Sequence, residues 1–429
     1  MAQNLKSRLQ LIRKTGAGNP VQRTGEVNNE PSALNNFSNP FDKPENKHRG
    51  LFGSDWRVAG HQVLRRNVTI NLPLTVPDIF PESLQVIIPD LVRYEKIPSS
   101  CSLVFFDLET TGLSGGAGTL AFIGSFGRFV HGALSVDQYL LLDYPGEADF
   151  IELLKSELTK PCIDNSPPLA VSYNGKTFDS QILKTRCLMN AVQPPFYFHA
   201  DLLHPSRRLW RQILPDCSQG TIETEILGLD RTGDVPGAMA PDIWFSFLKT
   251  GLTGELTGIC DHNIRDIAGL SSIYLLLAKI ADTPLDTLKK YKFDLEALAL
   301  IWRKNSRSSQ KAFISSCKTA DDLLCEAVKH KMPKAVFYFG IDLLRTNPGR
   351  GKELLLDLCS ASFNAPTDLK ASALHALAKH AEWTERDYIR AFEYTESALS
   401  LGDTSGSMKN GLEKRRERLL KKIPYVRQI

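Results

Sequence analysis

Nothing in this 429-residue chain approaches the ~18-residue apolar run that a membrane-spanning helix needs, so an integral helical membrane protein is not expected. The first residues, Met1-Ala2-Gln3-Asn4-Leu5-Lys6, have no apolar signal-peptide core. Cysteine is sparse and scattered. The eight cysteines form no CxxC pair and show no disulfide-like spacing, which fits buried thiols in a reducing compartment. An excess of one charge is missing too. Lys and Arg number 52 against 48 Asp and Glu; the net charge of +4 is far from a histone-like polycation and does not oppose nucleic-acid binding. The expectation is a soluble, cytoplasmic protein without membrane contact, long enough for two or three domains.

What is present changes character along the chain. Residues 1–55 read as a disordered arm, since 16–53 is rich in Asn, Pro, Gly and Ser and has no sustained apolar period. Residues 56–100 carry short apolar runs, Val68-Thr69-Ile70 and Leu84-Gln85-Val86-Ile87-Ile88, between prolines; they read as a lead-in segment packed on the next domain. From 101 to 282 strand and helix signals alternate. Strands are expected at 103–107, 119–130, 139–142, 169–173 and 196–202, helices at 149–158 and 178–189, and helices dominate from 222 to 280. After 283 only helical signals remain, ending in a basic segment, 409–422, with seven basic and two acidic residues. Ala391, Ala398 and Leu399 resemble the second helix of a tetratricopeptide repeat. No period of about 34 residues is visible, so 283–429 is expected as an irregular, repeat-like all-α domain.

The segment Phe105-Phe106-Asp107-Leu108-Glu109-Thr110-Thr111-Gly112-Leu113 carries the strongest chemical signal. Strand side chains alternate, so Asp107 and Glu109 share one face while Phe106 and Leu108 share the other. Two adjacent carboxylates repel unless a cation lies between them, and Mg²⁺ or Mn²⁺ suits such oxygen donors. Asp179 follows in Tyr173-Asn174-Gly175-Lys176-Thr177-Phe178-Asp179, and Asp266 in His262-Asn263-Ile264-Arg265-Asp266. With these four acids in order, the chain resembles the DEDD superfamily of 3′→5′ exonucleases, and within it the YprB-type RNase H-like family. The segments Gly112–Thr119 and Asp201–Trp210 and the pair His262-Asn263 add to that likeness.

The resemblance implies an α/β fold: an RNase H-like mixed sheet flanked by helices, followed by the all-α region. It also implies two divalent cations, Mg²⁺ or Mn²⁺, with Asp107 bridging them, Glu109 and Asp266 completing one site, and Asp179 acting on the other. His262 is the candidate general base. It stands four residues before Asp266, where the histidine subclass usually has five; four is the tyrosine-subclass spacing, and the identity of the base stays open. Substrate contacts are expected from Thr110, Leu113, Gly116 and Thr119 around the glycine-rich turn, and from Asn174 and Lys176. Arg207, Arg208 and Arg211 surround Trp210, which suits either a single strand of nucleic acid or a helix with one core tryptophan. The expected function is metal-dependent 3′→5′ exonucleolytic hydrolysis of single-stranded DNA or RNA. Two readings compete: a nucleic-acid-binding module with little turnover, and a scaffold whose C-terminal helices bind a protein partner.

Overall fold

The apolar run before Asp107 becomes an interior strand. In the computed structural model, which describes residues 52–93, 102–112, 118–161, 168–307, 314–402 and 406–426, Leu103–Thr110 forms β3. The remaining strands are β1 (Arg57–Gly60), β2 (Val63–Ile70), β4 (Ala121–Val130), β5 (Ala133–Leu141), β6 (Leu169–Ser172) and β7 (Phe198–Asp201). They form one seven-stranded mixed sheet in the order β1-β2-β5-β4-β3-β6-β7. The pairs from β1 to β3 are antiparallel; β3–β6 and β6–β7 are parallel. This is the RNase H-like architecture, and it includes two strands absent from the sequence-based list. Val68-Thr69-Ile70 belongs to β2, which pairs with β5 along its whole length.

Strand alternation sorts the two faces. Val104, Phe106 and Leu108 face a core built with α1 (Glu147–Thr159), α2 (Asp179–Met189) and α4 (Ala240–Thr250). Phe105 faces a second core with α3 (Leu203–Trp210) and the long α5 (Gly254–Asp282). Helix α5 comes unusually close to β4. A Cβ on Gly127 would lie 2.6 Å from Ile267 Cγ2, so only glycine there admits the helix turn that carries Asp266. Gly124 and Gly127 of β4 serve the close approach of side chains from the flanking helices.

The core around Phe105 continues without a break to Ala335, into the C-terminal helices. These are α6 (Leu295–Ser306), α7 (Ile314–Lys329), α8 (Pro333–Thr346), α9 (Pro348–Cys359), α10 (Thr367–His380), α11 (Tyr388–Ser400) and α12 (Gly406–Val426). Asp294 stops the preceding segment and caps α6, accepting from Ala297 N at 2.8 Å. Helices α8 and α9 meet at two glycines. A Cβ on Gly351 would lie 2.9 Å from Gly340 O and 2.7 Å from Leu344 N, backbone atoms that cannot swing aside. Gly351→Ala is therefore expected to destabilise the chain by about 1–3 kcal/mol despite alanine's better helix propensity. Urea unfolding checks this; an unchanged midpoint would mean the crossing is looser than drawn.

Among the described residues no helix is long and apolar enough to cross a membrane. The N-terminal arm up to residue 51, with Leu113 and Gly116, lies outside the described residues.

Candidate active site

The four acids separated by up to 159 positions converge. Asp107, Glu109, Asp179 and Asp266 line a single cavity of about 220 Å³ together with Thr110, Asn174, Gly237 and His262. Three elements supply the acids: the end of β3, the first residue of α2, and the middle of α5. The i, i+2 spacing on β3 aims both carboxylates at α5. The i, i+4 spacing on α5 stacks His262 and Asp266 on one helix face.

Burial and mutual repulsion shape the charge state. Burial, and then the nearby Asp179, Asp266 and Glu109 carboxylates, hold Asp107 well above the usual carboxylate range; a hydrogen bond from Asn263 pulls the other way. Glu109 is raised well above its usual range by burial and by Asp266 and Asp179. Asp179 is pushed up to about 7 by burial and by Asp201. Glu109, His262 and Asp266 each offer a ligand atom, and these atoms lie within 4.8 Å of one another. A concentration of oxygen donors whose charges burden each other fits a divalent cation.

A buried polar chain fixes Asp107. Asn263, which follows His262, donates from Nδ2 to Asp107 Oδ2 at 2.7 Å. Its Oδ1 accepts from the Ser125 hydroxyl and, at 3.2 Å, from Gln138 Nε2. Gln138 also donates to Cys260 O at 2.8 Å and accepts from Arg66 Nε at 2.8 Å. Asn263, Ser125 and Gln138 are fully buried, so each bond is made where water cannot replace it.

A second group surrounds His262. Its Nδ1 lies 2.8 Å from Asp234 Oδ2 and its Nε2 lies 3.4 Å from Asp266 Oδ2. Arg231 bonds Asp266 Oδ1 and Glu223 through its guanidinium and reaches Asp234 Oδ2 at 3.1 Å. Arg265 Nη1 stands 3.1 Å from Asp234 Oδ1. Against the cost of burial, the His262 bond and the two arginines hold Asp234 below the usual carboxylate range. Sequence reading missed Arg231 and Asp234, and it noted Asn263 beside His262 as part of the family likeness without giving it a role. The signal for the first two was the turn chemistry of Asp230–Gly237 inside a region read as helix.

The other expected contacts are placed as follows. Thr119 is buried beside Gly112 at the base of the β3–β4 turn. Asn174 takes a positive φ of 64°, its N–H donating to Asp201 Oδ1 at 2.8 Å. Lys176 turns to Asp90, 2.6 Å away, and does not line the cavity. Arg207, Arg208 and Arg211 are exposed, while Trp210 is wholly buried and donates to Lys292 O at 2.8 Å. The tryptophan is thus a core residue and presents no stacking face. In the basic tail, Arg415, Arg418 and Lys422 all pair with the buried Glu382.

A family model described as RNase_H superfamily matches residues 104–278. The uncharacterized protein YprB of Bacillus subtilis (strain 168) is 31% identical over 303 residues, 70% of this chain and 69% of that protein. A solved structure titled "The structure of exonuclease I suggests how processivity is achieved" aligns with 74% of this chain and 90% of its own at 14% identity and a TM-score of 0.25.

Proposed function

The chain belongs to the family of YprB and carries an RNase H superfamily domain over residues 104–278, and from that premise we propose that it is a metal-dependent nuclease, a 3′→5′ exonuclease acting on single-stranded DNA or RNA. The observation that carries this reading is the convergence of Asp107, Glu109, Asp179 and Asp266 on one cavity beside His262. A binding module or scaffold has no use for acids that weaken the fold.

Asp107, Glu109, Asp179 and Asp266 would hold two divalent cations, Mg²⁺ or Mn²⁺. When bound, such ions activate water and stabilise the departing oxygen of a phosphodiester. Asn263 keeps Asp107 in place by its 2.7 Å bond. His262 Nε2, facing the cavity, takes the proton of the attacking water. The water oxygen bonds to phosphorus and the bond to the 3′ oxygen breaks. The products are a nucleoside 5′-monophosphate and a strand one residue shorter with a new 3′-hydroxyl. The closeness of His262 to Glu109 and Asp266 supports a second role as ligand. An imidazole donor suits transition metals better than Mg²⁺, so that role predicts higher rates with Mn²⁺.

The test uses the purified full chain with 5′-labelled single-stranded DNA and RNA, in Mn²⁺, Mg²⁺ or EDTA. A ladder shortening from the 3′ end in metal, absent in EDTA, is expected. A circular single strand should survive. Intact linear substrate under every metal condition would remove the nuclease reading.

A further inference from the structure

We propose that Asp234 is a positioning residue that fixes the tautomer of His262, holding the proton on Nδ1 and the lone pair of Nε2 toward the acidic cavity, with Arg231 clamping Asp234 and Asp266 on either side of the ring. The inference builds on the role of His262 given above, but its geometry is independent of turnover.

A neutral imidazole has one N–H and one lone pair, and the partner of one nitrogen decides the state of the other. Asp234 Oδ2, 2.8 Å from Nδ1, can only accept when ionised, so Nδ1 must donate. Asp266 Oδ2 is 3.4 Å from Nε2, a weaker competitor for the ring proton. Nε2 is then the basic atom. Both roles open to His262, taking a proton or binding a cation, require that free lone pair.

Asp234 cannot drift from this task. Arg231 Nη1 and Arg265 Nη1 each stand 3.1 Å from its oxygens, and its side chain is only 9% exposed. Arg231 is itself anchored: its Nε donates to Glu223, a residue 1% exposed, and its other amino group bonds Asp266 Oδ1. One planar guanidinium therefore sets the relative position of the carboxylate that orients the ring and the carboxylate beside its free nitrogen. The same loop supplies the opening in front of the ring. Gly237 lines the cavity, and a Cβ there would lie 2.9 Å from His262 Nε2. Arg231, Asp234 and Gly237, spaced by three residues, thus act on a single imidazole. Lysine in place of Arg231 would supply the charge but not the fork that reaches three carboxylates.

The experiment is ¹⁵N NMR of the full chain labelled at histidine, with His262 identified by its loss in His262→Gln, recorded with the ring neutral and both with and without Mg²⁺. Wild type is expected to carry the proton on Nδ1. In Asp234→Ala the ring should exchange between tautomers, and metal-dependent hydrolysis should fall about 10- to 100-fold, the range for removal of an orienting partner. Asp234→Asn, which keeps shape but must set its amide N–H₂ against one of its present donors, should lie between the two. A wild-type ring protonated on Nε2 overturns the proposal, whether or not any variant folds. So does an Asp234→Ala protein with unchanged tautomer and rate. If no form of the protein hydrolyses nucleic acid, the nuclease reading fails, and the wild-type tautomer still decides this inference.

Discussion

Asp107→Asn is expected to remove hydrolysis and, in the same protein, to raise the melting temperature measured without metal. The two effects have one cause. Asp107 lies where Asp179, Asp266 and Glu109 oppose its charge and where burial penalises it further. An asparagine has the same shape, and its Oδ1 can still accept the bond from Asn263 Nδ2 that is 2.7 Å long in the wild type. The substitution removes a repelled charge and leaves the packing intact. A gain of about 1 kcal/mol is a reasonable size for relief of this kind. Catalysis moves the other way, because the carboxylate is a proposed metal ligand among the other acids. The loss should exceed the roughly 10- to 100-fold expected from residues one layer further out. Parallel thermal melts in EDTA and initial rates in Mn²⁺ read both quantities. A variant that is inactive and also less stable would show that Asp107 is held by contacts other than those described, and an active variant would displace it from the site altogether.

The acids were legible in the sequence for different reasons. Asp107 and Glu109 followed from strand alternation alone: an apolar run ending in carboxylates at i and i+2 leaves little choice of face. Asp179 and Asp266 needed family likeness, because nothing local in either helix says that they point at β3. The groups that hold the site in place were harder to see. Asn263 stood out beside His262 only by family likeness, and its role appears once Ser125, Gln138 and Asp107 are brought to it from three strands. Arg231 and Asp234 sit in a turn whose function appears only once Glu223 and Asp266 flank it. Strand β2 was overlooked for a related reason. Its inward positions include Arg66, whose guanidinium is satisfied by Gln138 and by Asp261 across the fold. A charged residue on an inward face breaks the apolar alternation that marks a strand, and the partners that excuse it lie 72 and 195 residues away.

Metal should stabilise this protein more at pH 8 than at pH 5. Asp179 is pushed up to about 7, and Asp107 and Glu109 are raised well above their usual ranges. A carboxyl whose folded-state pKa exceeds its unfolded value of about 4 binds more protons when native, so stability is highest below about pH 4 and falls as pH rises through the folded value. For Asp179 the loss runs from about pH 4 to about pH 7. Divalent cations bind the ionised acids, so their benefit grows over the same interval. Other groups titrate there. Burial lowers His199 and His375 to about 4, which makes metal-free stability rise with pH up to about 6.5 and partly masks the loss. Glu223, pushed up to about 7 by burial against the pull of Arg231, adds to it. Comparing melts with and without Mn²⁺ at each pH cancels the two histidine contributions, since neither lines the acidic cavity, whereas Glu223, joined to Asp266 through Arg231, moves with the acids. At a hundredfold excess over Kd the metal contributes about 2.7 kcal/mol, and protons competing for the same oxygens should cut that sharply at pH 5. Equal metal-induced shifts at pH 5 and pH 8 would mean that the cation binds elsewhere, and the convergence of the four acids would then have to be explained without it.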